Sequence, residues 1–91
     1  MEYLWETPEE INRELSKRFR MIRRRKGITQ ESLAGISGVS YGSIKRFEST
    51  GQISLLSLTR LAVALGIADE IKGLFRNVGY ASIEEVVNES R

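Results

Sequence analysis

The chain has 91 residues, a length that suits one small domain with a modest core. Its hydrophobic fraction of 41% and charged fraction of 29% are ordinary for a globular protein, which excludes a disordered or fibrous chain. The sequence contains neither cysteine nor histidine, so it offers no thiolate, no imidazole ligand and no imidazole base. We therefore expect no cofactor and no metal, and an enzyme is the least supported class. With no apolar run of about 20 residues and no signal-peptide pattern at the N-terminus, we expect a cytoplasmic protein without membrane contact.

Charge is distributed unevenly along the chain, although the net charge is only +2. Between residues 15 and 60 the sequence has ten basic residues and two acidic ones, so this middle segment has a net charge of +8. Most acidic residues lie in the two flanks. A basic middle segment is what a polyanion-binding surface requires, and a solvated helical face is the alternative explanation.

The first predicted helix begins with a capping box, in which Thr7 is the cap, Pro8 takes the first helical position and Glu10 closes the box. Gly27 ends this helix. Helical spacing predicts an apolar stripe that faces the core, formed by Ile11, Leu15, Phe19 and Ile22. A basic stripe falls on the opposite side, formed by Arg13, Lys17, Arg20 and Arg24. Arg20 and Arg24 either contact phosphate or keep the helix soluble.

The second and third predicted helices are short and close together. Thr29 caps the second helix, and Gly38 ends it in a left-handed conformation. Its residues predicted to face inward are Leu33, Ala34 and Ile36. Ser40 caps the third helix, which is predicted to end near Glu48 before a loop at residues 49–52.

Two further helices complete the predicted fold. Ser54 caps a fourth helix over residues 55–65, and a fifth covers residues 68–75. A second capping box at Ser82 opens a last turn or two through Val87. With no convincing strand, the predicted fold class is all-α.

Residues 30–48 have the spacing of a helix-turn-helix motif. Ala34 is a small residue where two helices cross closely, and Gly38 tolerates the positive φ of the tight turn. Ile44 and Phe47 are the apolar residues that hold the second helix of the motif against the body. The alternative is an ordinary pair of packed helices in an all-α domain.

This pattern resembles the Xre-type family of phage repressor and Cro-like helix-turn-helix proteins over residues 15–75. The matching residues are Arg23, Gly27-Ile28-Thr29-Gln30-Glu31-Ser32-Leu33-Ala34, Gly38-Val39-Ser40, Ile44 and Glu48, with Leu55, Leu58 and Leu61-Ala62-Val63-Ala64-Leu65-Gly66 in the fourth helix. The resemblance implies a compact five-helix domain that binds palindromic operator DNA as a homodimer. A shorter resemblance, in residues 46–55 and 74–86, is to HipB-like antitoxins found beside HipA-type kinase toxins.

The resemblance also implies roles for individual residues. The predicted base contacts, in the first turns of the third helix, are Tyr41, Gly42, Lys45 and Arg46. The predicted phosphate contacts are Gln30, Ser40, Ser43 and Gln52. Tyr41 is alternatively a plain surface aromatic, and Lys45 a solvated charge or a phosphate contact. Arg23 and Glu48 match positions that commonly form a partly buried ion pair, and helical spacing independently places Arg23 at the margin of the core.

We expect a sequence-specific transcriptional repressor that binds double-stranded DNA through the helix at residues 40–48. The first alternative is an antitoxin that also holds a HipA-like kinase toxin through its acidic C-terminal flank. There, Ile83, Val86 and Val87 form a docking stripe or pack on the fifth helix. The second alternative is a scaffold that uses the fold only for protein contacts.

The predicted domain organisation is simple. Residues 1–7 are an N-terminal extension, residues 8–75 the DNA-binding domain and residues 76–91 a C-terminal extension. The dimer surface is expected after Gly66, with Trp5 as the second candidate.

Overall fold

A computed structural model describes residues 6–76 of the chain. Within that range the chain forms five helices and no strand: α1 (Pro8–Arg25), α2 (Gln30–Ser37), α3 (Tyr41–Thr50), α4 (Leu55–Ala64) and α5 (Ala68–Lys72). The all-α fold class is confirmed. No helix in this range is both long and apolar enough to cross a membrane. Trp5 and the predicted helix opened by Ser82 lie outside the described residues.

Side-chain hydrogen bonds fix where the first four helices begin. The Thr7 hydroxyl accepts from the Glu10 backbone N–H at 3.1 Å, and Glu10 Oε1 accepts from the Thr7 backbone N–H at 3.0 Å. The predicted capping box is therefore confirmed. The hydrogen bond from the Thr7 backbone holds the pKa of Glu10 below its ordinary value, with a smaller contribution from the Thr7 side chain. Thr29, Ser40 and Ser54 cap the next three helices as predicted, each accepting a backbone N–H three residues further on.

A three-residue turn joins α2 to α3. Gly38 has φ 75, a left-handed conformation that costs a residue with a side chain about 1–2 kcal/mol. Its N–H donates to the carbonyl of Ala34 at 3.1 Å, which closes the end of α2. Val39 is buried in the core immediately afterwards. The turn therefore ends α2 at Gly38 and anchors the chain in the core at the next residue, Val39.

One hydrophobic core connects the first four helices. Its buried members are Phe19, Leu33, Val39, Ile44, Phe47, Leu61 and Leu65. The rings of Phe19 and Phe47 meet edge to face with centroids 5.4 Å apart, an arrangement that adds about 0.5–1.5 kcal/mol beyond area burial. Because Phe19 lies on α1 and Phe47 on α3, this contact holds the third helix against the first.

The end of α3 differs from the sequence prediction. The helix continues through Thr50, so the predicted loop at residues 49–52 is wrong in its first half. The hydroxyls of Ser49 and Thr50 donate to the backbone carbonyls of Lys45 and Arg46, one turn earlier, at 2.9 and 2.6 Å. The helix ends only at Gly51, whose φ is 83. Both hydroxyls thus bond within the helix that contains them, although such residues are typical of loops.

The last two helices are shorter than predicted. α4 ends at Ala64 instead of residue 65, and α5 ends at Lys72 instead of residue 75. Phe75 has φ 62, a left-handed conformation that the interior of a right-handed helix does not contain. The chain thus turns sharply after α5.

Three apolar residues predicted to face the core are exposed. The exposed fractions are 61% for Ile36, 52% for Ile11 and 42% for Leu15. Ile36 lies in the last turn of α2, at the rim of a surface depression shared with Val63 of α4. Ile11 and Leu15 lie in the first half of α1, which has 18 residues against the ten of α3. The core therefore covers only part of the length of α1.

Candidate nucleic-acid interface

The third helix has one buried side and one exposed side. Its buried residues are Ile44, Phe47 and Glu48, whose spacing of three and four places them together on one side of the helix. The residues predicted to contact bases, Tyr41, Gly42, Lys45 and Arg46, are all exposed on the same helix. The packing that fixes α3 therefore leaves these four residues free for a ligand.

Lys45 and Tyr41 form a pair on this exposed side. The Lys45 ammonium lies 5.1 Å from the centroid of the Tyr41 ring. A cation over an aromatic face at an exposed site is stabilised by about 0.5–1 kcal/mol. The two side chains therefore present an aromatic surface and a positive charge next to each other, one turn apart on α3.

Arg46 and Gln52 are also brought together. One terminal nitrogen of the Arg46 guanidinium donates to Gln52 Oε1 at 2.5 Å. The Gln52 backbone N–H donates to the Thr50 hydroxyl at 3.1 Å, which fixes the residue after the helix end. Because Gln52 accepts through its oxygen, its amide nitrogen remains a donor for a further acceptor. Gln52, a predicted phosphate contact, thus positions Arg46, a predicted base contact.

An ion pair on the other side of α3 fixes the helix in place. Arg23 donates from Nε to Glu48 Oε2 at 2.6 Å and from Nη2 to Glu48 Oε1 at 2.8 Å. The remaining terminal nitrogen donates to the Ile28 carbonyl at 2.8 Å. Gln30 completes the cluster, because its amide nitrogen donates to Glu48 Oε1 at 2.9 Å. The cluster joins the end of α1, the start of α2 and the end of α3.

The ion pair is buried and fully hydrogen-bonded. Arg23 is 7% exposed and Glu48 is 8% exposed. The hydrogen bond to Glu48 raises the pKa of Arg23 above its ordinary value, since its effect exceeds that of burial, which acts in the opposite direction. Within residues 6–76, every buried side-chain nitrogen or oxygen has a hydrogen-bond partner. A bidentate pair of this kind fixes both distance and angle between the elements that carry it.

The predicted phosphate contacts at the helix starts differ in the donors they retain. Gln30 uses one amide N–H on Glu48 and keeps the other. The Ser40 hydroxyl donates to Ser43 Oγ at 2.8 Å and accepts from the Ser43 backbone N–H at 3.1 Å. The Ser43 hydroxyl proton is therefore the one left for an external acceptor. Ser43 also lines a surface groove of about 380 Å³ with Arg46 and Gln52.

The structure brings two further residues to this surface: Arg20, for which the sequence left phosphate contact and solubility open, and Ser57, which the sequence did not single out. Arg20 of α1 lines one depression of about 320 Å³ together with Gln30, Lys45 and Arg46. Ser57 of α4 lines the groove that contains Ser43. Helical spacing placed Arg20 in a basic stripe, but only the packing of α1 on α3 determines which part of that stripe adjoins the third helix.

The surface around α3 has a positive balance. Arg20, Lys45 and Arg46 lie on it, while the carboxylate of Glu48 is offset by Arg23. Among residues 6–76, no three His, Cys, Asp or Glu side chains come together as a set of metal ligands. The positive balance of the described surface around α3 favours an anion there.

Comparison with protein families decides which class of protein carries this surface. A family model described as helix-turn-helix matches residues 19–70, more than half of the chain. The chain belongs to the Xre/Cro-like helix-turn-helix family. Membership of the helix-turn-helix family supports the general role of a DNA-binding transcription regulator. Neither the comparison with curated proteins nor that with solved structures gave a match.

Proposed function

We propose that this protein is a transcriptional repressor that binds a palindromic operator as a homodimer, with α3 in the major groove. The observation that carries the proposal is the exposed side of α3, where Tyr41, Lys45 and Arg46 lie together next to Gln30. An α-helix with its side chains is about 10–12 Å wide, which suits a major groove about 12 Å wide. Donors on this side of the helix therefore reach base edges without a change in the fold.

Arg46 is the main base contact in this proposal. A guanidinium donates two parallel hydrogen bonds to guanine O6 and N7, which a lysine cannot do. The hydrogen bond to Gln52 uses one terminal nitrogen of Arg46, so the guanidinium approaches DNA in a restricted orientation. Lys45 and Tyr41 contact the neighbouring base pairs, and Gly42 allows the backbone of α3 to lie close to them.

Phosphate contacts fix the position of the domain on the duplex. We assign these contacts to Gln30, Ser40, Ser43 and Gln52, and we add Arg20. Gln30 donates its remaining N–H beside the free backbone N–H groups at the start of α2, where the helix dipole favours an anion. In a homodimer, two copies of α3 contact half-sites about one helical turn, or about 10 base pairs, apart.

The antitoxin hypothesis depends on residues that the structure does not describe. Its docking stripe, Ile83, Val86 and Val87, lies after the last described residue, Arg76. We therefore propose the repressor, and co-purification of a kinase-like protein with the full chain is the observation that would favour the antitoxin.

Selection of bound sequences from a random duplex pool tests the proposal. Selection at low and at moderate salt is expected to enrich a palindrome whose half-sites lie about 10 base pairs apart. Arg46→Ala is expected to lower affinity for that sequence by about 1–3 kcal/mol and to relax the preference at one base pair of each half-site. Arg13→Ala is the matched control, because Arg13 is an exposed arginine of α1 grouped with Lys17 and acidic residues.

Three results would contradict the proposal. Binding without enrichment of any sequence would indicate contacts to the DNA backbone alone. Equal losses for Arg46→Ala on every duplex would assign Arg46 to a phosphate instead of a base. No binding at either salt concentration would instead favour a protein-contact scaffold.

A further inference from the structure

An apolar groove lies between α1, α4 and α5, lined by residues that the candidate DNA interface does not use. Its volume is about 320 Å³, and its apolar lining includes Leu15, Phe19, Ile22, Leu58, Ile71 and Leu74. Leu15 is 42% exposed and Leu74 is 49% exposed, so the two rims of the groove are open in the described part of the chain. Contiguous exposed apolar surface of this kind marks a contact site.

The groove continues along α1 toward the start of the helix. Ile11 and Leu15 are four residues apart and therefore lie on the same side of α1. Ile11 is 52% exposed. The sequence places both residues in an apolar stripe with Phe19 and Ile22, yet within residues 6–76 only Phe19 of this stripe is buried. An amphipathic helix whose apolar side is half exposed lacks a packing partner over that half.

We propose that residues 77–91 of the same chain cover this groove, with Ile83, Val86 and Val87 seated in it. The segment starts at the groove itself, because Leu74 lines the rim two residues before Arg76. Ile83, Val86 and Val87 have the spacing of one side of a helix, and Ser82 and Glu85 are placed for a capping box at its start. An apolar stripe on the segment thus matches an apolar stripe on the domain.

The length of the segment agrees with this assignment. Ile83 lies seven positions after Arg76, a stretch that spans up to about 23 Å when the chain is extended. The groove follows α1 from Leu15 to Ile22, a rise of about 10 Å. The extended segment is longer than this, so Ile83 can reach any point along the groove. The groove lining contains one basic and one acidic residue, Arg18 and Glu70, so the assignment depends on the apolar stripe and on reach and not on charge.

The N-terminal segment is a poorer occupant than the C-terminal one. Glu6, the first described residue, lines a charged depression with Glu10, Arg13, Glu14 and Lys17. The chain before Glu6 therefore joins α1 at its charged side, whereas the chain after Leu74 leaves from the apolar groove.

The full chain has no cysteine, so single introduced thiols report the exposure of single positions. We would measure the rate of maleimide alkylation for Leu15→Cys, Ile36→Cys and Ser16→Cys in otherwise complete chains. Ile36 is an exposed apolar residue away from the groove, at 61%, and Ser16 is fully buried next to Leu15. The cysteine at position 15 is expected to react at least about tenfold more slowly than that at position 36, because it reacts only when the segment opens.

A triple substitution in the segment identifies the occupant. Ile83→Asp, Val86→Asp and Val87→Asp together are expected to raise the rate at position 15 to nearly that at position 36. The matched control, Asn77→Asp, Ala81→Asp and Asn88→Asp, adds the same three charges away from the stripe and is expected to leave the rate unchanged. The thiol at position 16 is expected to remain protected in both triple variants, which shows that the domain stays folded. No DNA is present, so the result is independent of the proposed function.

Three outcomes would overturn the inference. Reaction at position 15 as fast as at position 36 in the chain with its native segment would show that nothing covers the groove. Protection that survives the stripe substitutions would assign the groove to another part of the chain. Protection that is lost on dilution would assign it to a second copy.

Discussion

Two residues, Arg23 and Glu48, join α3 to α1 in addition to the apolar contacts of the core. Both are buried, and two hydrogen bonds of 2.6 and 2.8 Å join them. A buried pair of this type contributes little net stability compared with apolar side chains, but it is costly to break on one side only. The raised pKa of Arg23 means that its contribution is fully present below the ordinary pKa of arginine. It is lost only as pH rises through that raised pKa, so Arg23 adds no pH dependence near neutrality.

Glu48→Ala tests this pair. The substitution leaves a buried guanidinium without its carboxylate, and we expect the free energy of unfolding to fall by about 3–5 kcal/mol. Urea denaturation of the two chains measures the change. Glu14→Ala is the control, since Glu14 is an exposed glutamate of α1, and its effect should stay within about 0.5 kcal/mol. A loss for Glu48→Ala no larger than the control would mean that the pair does not hold α3 in place.

At the scale of the helices, local chemistry was predictable and long-range contact was not. The caps at Thr7, Thr29, Ser40 and Ser54 depend on residues within one turn, so their spacing was sufficient to predict them. The outward position of Ile36 depends instead on where α4 packs, which helical periodicity does not encode. Most of the fold was therefore predicted, with errors at the helix ends and in the burial of three apolar residues, Ile11, Leu15 and Ile36.

In the candidate site, too, local features were predictable from the sequence and long-range contacts were not. The exposed position of Tyr41, Lys45 and Arg46 follows from the buried spacing of Ile44 and Phe47 on the same helix. The contact of Arg46 with Gln52 depends on the bend at the helix end, and the position of Arg20 depends on the packing of α1. The order of residues contains no signal for the contact of Arg46 with Gln52, and for Arg20 it predicts only the basic stripe, without the packing that sets Arg20 beside α3.

Gly51 and Gly38 provide a matched test of helix packing. Both have positive φ, 83 and 75, so alanine costs about 1–2 kcal/mol at either position. A Cβ at Gly51 would lie only 2.7 Å from the backbone carbon of Asn12 on α1, whereas a Cβ at Gly38 meets no atom within 4 Å. We therefore expect Gly51→Ala to lower the free energy of unfolding by a further ~1–3 kcal/mol, because α1 must move. Equal losses in urea denaturation would show that α1 and the turn after α3 are not in close contact.

For the whole molecule, charge and assembly are linked. The net charge of +2 gives no indication of a polyanion partner, but the basic residues are concentrated between residues 15 and 60. Within the described structure, Arg20, Lys45 and Arg46 come from two different helices and form one surface. A homodimer would present this surface twice, so each phosphate contact of one subunit would count twice in the complex.

The salt dependence of DNA binding therefore tests two things: whether Arg20 contacts phosphate, and whether the protein binds as a monomer or a dimer. Each neutralised phosphate contributes about −0.9 to the slope of log affinity against log salt concentration. If Arg20 contacts one phosphate per subunit, Arg20→Ala should make the slope of a symmetric dimer less steep by about 1.8, and that of a monomer by about 0.9. Titrations at four or more salt concentrations with the selected operator give these slopes. Arg13→Ala removes an equal charge from the part of α1 grouped with Glu10 and Glu14 and should leave the slope unchanged. An equal change in both variants would reflect the net charge of the protein, and no change in Arg20→Ala would place Arg20 outside the interface.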